Sequence, residues 1–193
     1  MTDDRASQRP RRADARDNRE RILRAARAAF AEHGPRASLN RIGAAAGVGA
    51  GTLYRHFPSE QALLVEIIRA DVDALCATGR DLADEPDAAG ALRDWLRAVA
   101  RHATAMRGLV ATHMATVSRP GTDATLAACH DAIRATGAIL LNRARNHGAA
   151  PPTVDIGDLL TLANALAWAS EQAADDPGLL DRLLDLALAG LDA

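Results

Sequence analysis

Between Gly51 and Phe57 the chain reads GTLYRHF, and Thr52, Tyr54, Arg55 and His56 bring two hydroxyls, a guanidinium and an imidazole into one short run. Such groups hydrogen-bond anionic oxygens and base edges. A guanidinium matches guanine O6 and N7 in a bidentate pair, which makes Arg55 the candidate for base readout. Hydroxyl and imidazole groups more often reach phosphates and set register, the role expected of Thr52, Tyr54 and His56. Tyr54 can instead serve as half-buried packing. Ala50 and Gly51 are small, so a helix backbone can come close to its partner there. Upstream, Arg41 offers a second guanidinium and Ser38 a hydroxyl beside it.

The neighbouring residues must hold this run in place. Ile42, Ala45 and Ala46 recur at i, i+3 and i+4, one apolar face of a short helix. Ser38 precedes that helix and is suited to cap a free N–H of its first turn. Gly47 suits the left-handed conformation that commonly ends a helix, and Val48 can plug the corner that follows. Gly49 to His56 then makes a second short helix with Leu53 and Phe57 turned inward. Two short helices joined by a glycine-bearing turn define a helix-turn-helix, whose second helix enters the DNA major groove. An ordinary helical hairpin has the same spacing, and spacing alone leaves both readings open.

The residue identities narrow the choice. AGVGAGTLYRHFPSEQALL resembles the helix-turn-helix of the TetR (tetracycline-repressor-like) regulators, whose usual form is AGVS-x-GTLY-x-HF-x-SKE-x-LL; the likeness covers roughly residues 18–68. The resemblance implies an all-helical, homodimeric repressor with a ligand-responsive C-terminal domain, and phosphate contacts for Tyr54 and His56. Three positions depart from the pattern. Gly49 replaces the usual Ser cap, Ala50 is small where a basic or polar residue is common, and Glu60 stands where a Lys often meets phosphate. Each departure removes a DNA contact. Further on, the segment from ALRDWLRAVA through NRARNHGAAPPTVDIGDLLTLANAL looks like the C-terminal domain of the SbtR-like TetR subgroup, a likeness that names no effector.

At 193 residues and 48% hydrophobic, the chain can form a small head and a larger helical body. Only 3% of it is aromatic, so Leu, Ala, Val and Ile must build most of the core. Residues 1–57 carry twelve arginines against six acids, and residues 58–193 eleven against nineteen. A basic head on an acidic body approaches a polyanion with one end, and double-stranded DNA is the expected partner. Cys76 and Cys129 lie far apart without CxxC or Cys/His spacing, so neither a disulfide framework nor a zinc site is expected, and no other cofactor. They suit a reducing cytoplasm. The charged N-terminus and the lack of an 18-residue apolar run predict neither a signal peptide nor a membrane span. Glu-x-x-His, HExxH, GxSxG and phosphate-binding glycine loops are all absent from the sequence, so an enzyme is not expected.

In chain order, residues 1–13 are polar, contain Pro10 and are expected to form a disordered basic arm. Arg5, Arg9, Arg11 and Arg12 suit an adjacent minor groove, although a solvated tail without a role fits equally. Ile22, Ala25, Ala26, Ala29 and Phe30 predict a helix from Asp14 to His33 that Gly34-Pro35 stops, completing a DNA-binding domain over 14–58. Residues 59–193 form the ligand-binding and dimerisation domain. Its expected helices cover 60–78, 88–106, 109–118, 122–146, 154–174 and 177–192, with a break at Arg107-Gly108. The expected fold is therefore all-α, a three-helix head with a helix-turn-helix and a six-helix body.

Aromatic, soft and polar residues on the body helices suggest a pocket for a small-molecule effector: Trp95, Val99, His102, Met106, Leu109, His113, Met114, Cys129, His130, Ile133, Asn164 and Trp168. The same residue types also serve as ordinary core. The last two helices are apolar over so much of their circumference that they need cover on two sides. A twofold homodimer joined as a four-helix bundle is expected to supply it, with Ile156, Leu160, Ala163, Ala167, Leu180, Leu184, Ala187 and Leu191 at the interface; a buried internal helix in a monomer is the alternative. The functional expectation is a homodimeric repressor of a palindromic operator, released by an effector; an effector-independent architectural DNA binder is the alternative. If the four arginines of residues 1–13 meet phosphates, deleting that segment flattens the slope of log affinity against log salt by up to about 3–4, at roughly 0.9 per phosphate neutralised. An unchanged slope in a salt titration rejects a role for the segment.

Overall fold

The computed structural model describes residues 5–33, 37–114, 124–173 and 175–189, with the side chains of 5–15, 31 and 107–114 outside that description. Among the described residues are eight α-helices and no strand: α1 Arg5–His33, α2 Leu39–Ala45, α3 Ala50–His56, α4 Glu60–Leu82, α5 Ala88–Met114, α6 Ala124–Asn146, α7 Ile156–Glu171 and α8 Leu179–Ala189. The chain divides into two units within α4, at Ile67/Ile68, and the first unit also takes in α5 from Gly108. That division falls inside a helix because Leu63 and Ile67 of α4 belong to the head's core.

Ile22, Leu23, Ala26 and Phe30 of α1 meet Leu39 and Ile42 of α2, Leu53 of α3 and Phe57 in the head's core, with Val48 packed against it. Helix α1 starts at Arg5, so the backbone of residues 5–13 continues a helix instead of forming the expected disordered arm. Arginine, alanine and glutamine favour helix, whereas Pro10 lacks an N–H to donate and costs a helix interior about 3 kcal/mol, so propensity alone does not account for this stretch. The side chains of Arg5, Arg9, Arg11 and Arg12 lie outside the described residues.

The body's largest buried side chain is Trp95 of α5, fully buried. Its indole Nε1 donates to the Leu75 carbonyl of α4 at 3.3 Å. A Cβ added at Gly79 of α4 would lie 2.3 Å from Thr136 Cγ2 and 2.7 Å from the indole nitrogen; one at Gly137 of α6 would lie 2.6 Å from the ring. The indole thus fits where two helices lack side chains. Arg143 of α6 donates to the carbonyls of Leu82 and Glu85, placing a cation at the C-terminal end of α4, where the helix dipole favours one. Backed by these contacts, α4 runs through Gly79, past the expected end at residue 78.

The expected break at Arg107-Gly108 is absent. Helix α5 continues to Met114, and the body has five helices among the described residues where periodicity suggested six. A lone glycine costs a helix about 1 kcal/mol relative to alanine, less than breaking and restarting it. Four of the eight expected interface residues face inward. Ile156, Ala163, Ala167 and Leu184 are buried in the chain's own core, with Leu160 and Leu180 packed against it. Ala187 is half-buried, and Leu191 lies outside the described residues. The outward faces instead show Leu162, Trp168 and Leu186.

His102 of α5 is half-buried, and burial pushes its imidazole below its ordinary value near 6.5 against the opposing pull of Asp71 on α4. The unfolded chain then binds the proton first, so this contribution is full above about pH 6.5 and is lost as pH falls below it toward the folded-state pKa. Urea unfolding midpoints at about pH 7.5 and 5.5 are expected to fall further for the wild type than for His102→Asn. Gly79→Ala is expected to lower stability by about 1–3 kcal/mol, because the methyl must displace Thr136 or the indole; an unchanged midpoint contradicts the close fit.

Candidate nucleic-acid interface

Two seven-residue helices carry the chemistry. Ser38 caps α2, its Oγ accepting from the Arg41 N–H at 3.4 Å. Gly47 takes a positive φ of 64° and turns the chain, as the left-handed region favours glycine. Gly49 caps α3 without a side-chain hydrogen bond. A glycine that spacing did not single out sets the approach of the two helices: a Cβ on Gly43 would meet Leu53 Cδ2 at 3.2 Å and the Val48 carbonyl at 3.5 Å. The one signal for it was a glycine inside a helix of seven residues.

With Leu53 and Phe57 buried, the rest of α3 turns outward. Ala50, Gly51, Tyr54 and Arg55 are exposed, while Thr52 and His56 are half-buried. No atom lies within 4 Å of a Cβ built on Gly51, so the protein's own packing does not require a glycine there. Tyr54 is 46% exposed, which disfavours the half-buried packing role, and its hydroxyl points to Asn40 Oδ1 at 3.5 Å. Asn40, on the exposed side of α2, joins the site although the sequence did not mark it. Arg55 folds back on its own helix, Nε donating to the Gly51 carbonyl at 3.0 Å and Nη2 to Thr52 Oγ1 at 3.2 Å. Arg41 is exposed on α2, and neither helix contains an acid. Glu60 begins α4, where the helix dipole favours an acid. An ion pair between Arg19 of α1 and Glu66 of α4 ties the support helix to the helix leaving the head.

The effector candidates are dispersed. Trp95 and Val99 are packed in the body core, and Cys129 is buried in a small cluster with Val72 and Cys76. His102, Met106 and Ile133 are half-buried, whereas His130, Asn164 and Trp168 are exposed. The side chains of Leu109, His113 and Met114 lie outside the described residues. Neither cysteine forms a disulfide. Among the described residues no group of three or more His, Cys, Asp or Glu is placed to hold a metal ion, and no helix is long and apolar enough to cross a membrane.

Residues 22–67 match the family model described as bacterial regulatory proteins, tetR family, and residues 87–193 match the one described as transcriptional regulator SbtR-like, C-terminal domain. Among solved structures, the chain is similar to a TetR transcriptional regulator from Streptomyces coelicolor, with 34% identity and a TM-score of 0.73 over 90% of this chain and 98% of that one. A TetR transcription regulatory protein from Mycobacterium vanbaalenii is 32% identical, with a TM-score of 0.73 over 94% and 99% of the two chains. An HTH-type transcriptional regulator of Staphylococcus aureus (strain USA300) is 39% identical over 75 residues, 38% of this chain. The chain spans about two fifths of the length of the curated relatives it matches. With head and body each matched, and with likeness running the length of solved relatives, the chain belongs to the TetR family of DNA-binding transcriptional regulators.

Proposed function

We propose that the protein is a sequence-specific, homodimeric repressor of a palindromic operator, released by a small-molecule effector. The observation that carries this reading is the outward face of α3: Gly51 beside open space, then Thr52, Tyr54 and Arg55, on a helix without acids. Arg55 leaves its intrahelical partners to pair with guanine, Thr52, Tyr54 and His56 bond phosphates, and Arg41 and Ser38 add contacts from α2. Ala50 and Gly51 let the backbone come close.

A second copy covers the outward apolar faces. Leu162 and Trp168 flank Ala165 on α7, and Leu186 of α8 is 74% exposed. Covering Leu162, Trp168 and Leu186 would remove apolar surface from water, which favours association. Twofold symmetry then presents two copies of α3 to half-sites about 34–36 Å apart. Effector contacts are drawn from the half-buried His102, Met106 and Ile133, and the SbtR-like likeness of residues 87–193 supports a ligand-responsive body.

Selection of bound duplexes from a random pool at near-physiological salt tests the DNA reading. One palindrome is expected to be enriched by the wild type. Arg55→Ala is expected to relax one position of each half-site by about 1–3 kcal/mol of discrimination. Gly51→Ala is expected to leave the fold as stable or slightly more so, because its methyl meets nothing, yet to weaken operator binding. If no sequence is enriched and all three proteins bind every duplex alike, the protein is an architectural DNA binder.

A further inference from the structure

On the head, a groove of about 510 Å³ separates α1 from α2. Its floor is made of alanines from both helices, with Ala46 in the head's core and Ala25 and Ala29 packed against it. An alanine side chain ends at Cβ, so the two helices can meet at their cores and still leave a hollow between their outer faces. Three guanidiniums line that hollow, those of Arg21 and Arg24 on α1 and of Arg41 on α2.

Against these three cations the groove holds one carboxylate, that of Glu32, whose Oε1 lies 3.9 Å from the His33 ring. Other arginines of α1 are paired: Arg16 with Glu20 at 3.6 Å, and Arg19 with Glu66 of α4. Arg21 donates to Asn18 Oδ1 at 2.7 Å, a neutral acceptor that leaves its charge unbalanced. The side chains of Arg24 and Arg41 have neither a hydrogen-bond nor an ion-pair partner among the described residues, and all three arginines are exposed. Asp17 and Glu20 border a neighbouring hollow with Arg21 and Arg24 and do not line the groove. An exposed guanidinium meets a row of anions with little loss of hydration, and its planar fork matches the oxygens of a phosphate.

In a helix-turn-helix the first helix crosses the nucleic-acid backbone while the second enters the major groove. Here the first helix is α2, and Arg41 in its first turn also lines the groove, so the hollow is continuous with the surface where the backbone passes. We infer that the groove between α1 and α2 seats the sugar-phosphate backbone flanking the base pairs that α3 reads, with Arg21 and Arg24 on phosphates next to the one that Arg41 meets. The alanine floor leaves the room, and the arginines supply the charge. This inference rests on the reading of α3 as the helix in the major groove, and it adds two contacts that hold the protein on DNA without reading sequence.

Salt titrations of the full chain test it on two duplexes of equal length, one carrying the palindrome selected by the wild type and one of scrambled sequence. Arg24→Gln is expected to flatten the slope of log affinity against log salt by about 0.9 for each protomer bound, on both duplexes alike, while the enriched sequence stays that of the wild type. Arg21→Gln is expected to do the same, and it serves in place of Arg24→Gln if that variant does not fold. Ala28, an exposed residue of the groove wall, gives a test by charge alone. Ala28→Glu is expected to weaken both duplexes at least tenfold, whereas Ala28→Gln, of the same size, binds like the wild type and both keep its thermal unfolding midpoint. If the wild type enriches no sequence and Arg24→Gln still flattens the slope on arbitrary duplexes, operator reading fails and the groove remains a seat for the backbone. The inference is overturned if the wild type binds no duplex, if Arg21→Gln and Arg24→Gln both leave the slope unchanged, or if Ala28→Glu and Ala28→Gln act alike.

Discussion

The body of this regulator depends on a single indole finding room between helices. With so few aromatics in the chain, Trp95 supplies a volume that no other described core residue matches, and burying about 200 Å² of it is worth about 5 kcal/mol. That gain requires two neighbours without side chains, Gly79 on α4 and Gly137 on α6, and a carbonyl, that of Leu75, to take the indole N–H. These residues therefore form one constraint: α4, α5 and α6 can close together because two positions are empty and one is filled. The same α4 gives Leu63 and Ile67 to the head's core, so the helix that Trp95 holds is also part of the DNA-binding unit's interior.

The head solves its own packing problem by the same device at smaller scale. Helices α2 and α3 are each too short to persist alone, and both stand only because Ile42 and Leu53 are buried against α1 and α4. Gly43 lets Leu53 sit close, which leaves Thr52, Tyr54 and Arg55 on the side away from that core. Arg55 is not a free cation in this state. Its bonds to Gly51 and Thr52 must be exchanged for bonds to DNA, so only the surplus of the new pairs over the old ones counts toward binding.

Much of this was legible in the sequence, where local chemistry and helical period agree. The Ser38 cap, the turn at Gly47 and the inward Leu53 and Phe57 all stand where spacing placed them. Other features failed for identifiable reasons. Gly108 looked like a stop, but a glycine inside a good helix costs less than a new nucleus. Residues 5–13 are polar and carry Pro10, and local propensity does not account for the helix that covers them. On α7 the apolar residues were found, but periodicity identifies a face without saying whether the chain's own core or another molecule covers it; Ile156, Ala163 and Ala167 are covered by the chain's own core. Gly43 and Asn40 owe their significance to neighbours distant in sequence, which no local pattern contains.

The contrast between the two halves of the function has a physical origin. DNA offers every regulator the same regular polyanion, so the side chains that meet it come from a small set at nearly fixed spacing, and that set shows in a sequence. An effector has no fixed shape. Its site is built from the same tryptophans, methionines and histidines that fill cores, and residue type then carries almost no information. Trp95 and Trp168 make the point: one is sealed against two glycines, the other is 57% exposed on α7, and nothing in their own identities separates them. What distinguishes a binding group from a packing group is its surroundings, not its type. Those surroundings become visible only when the neighbours are in place.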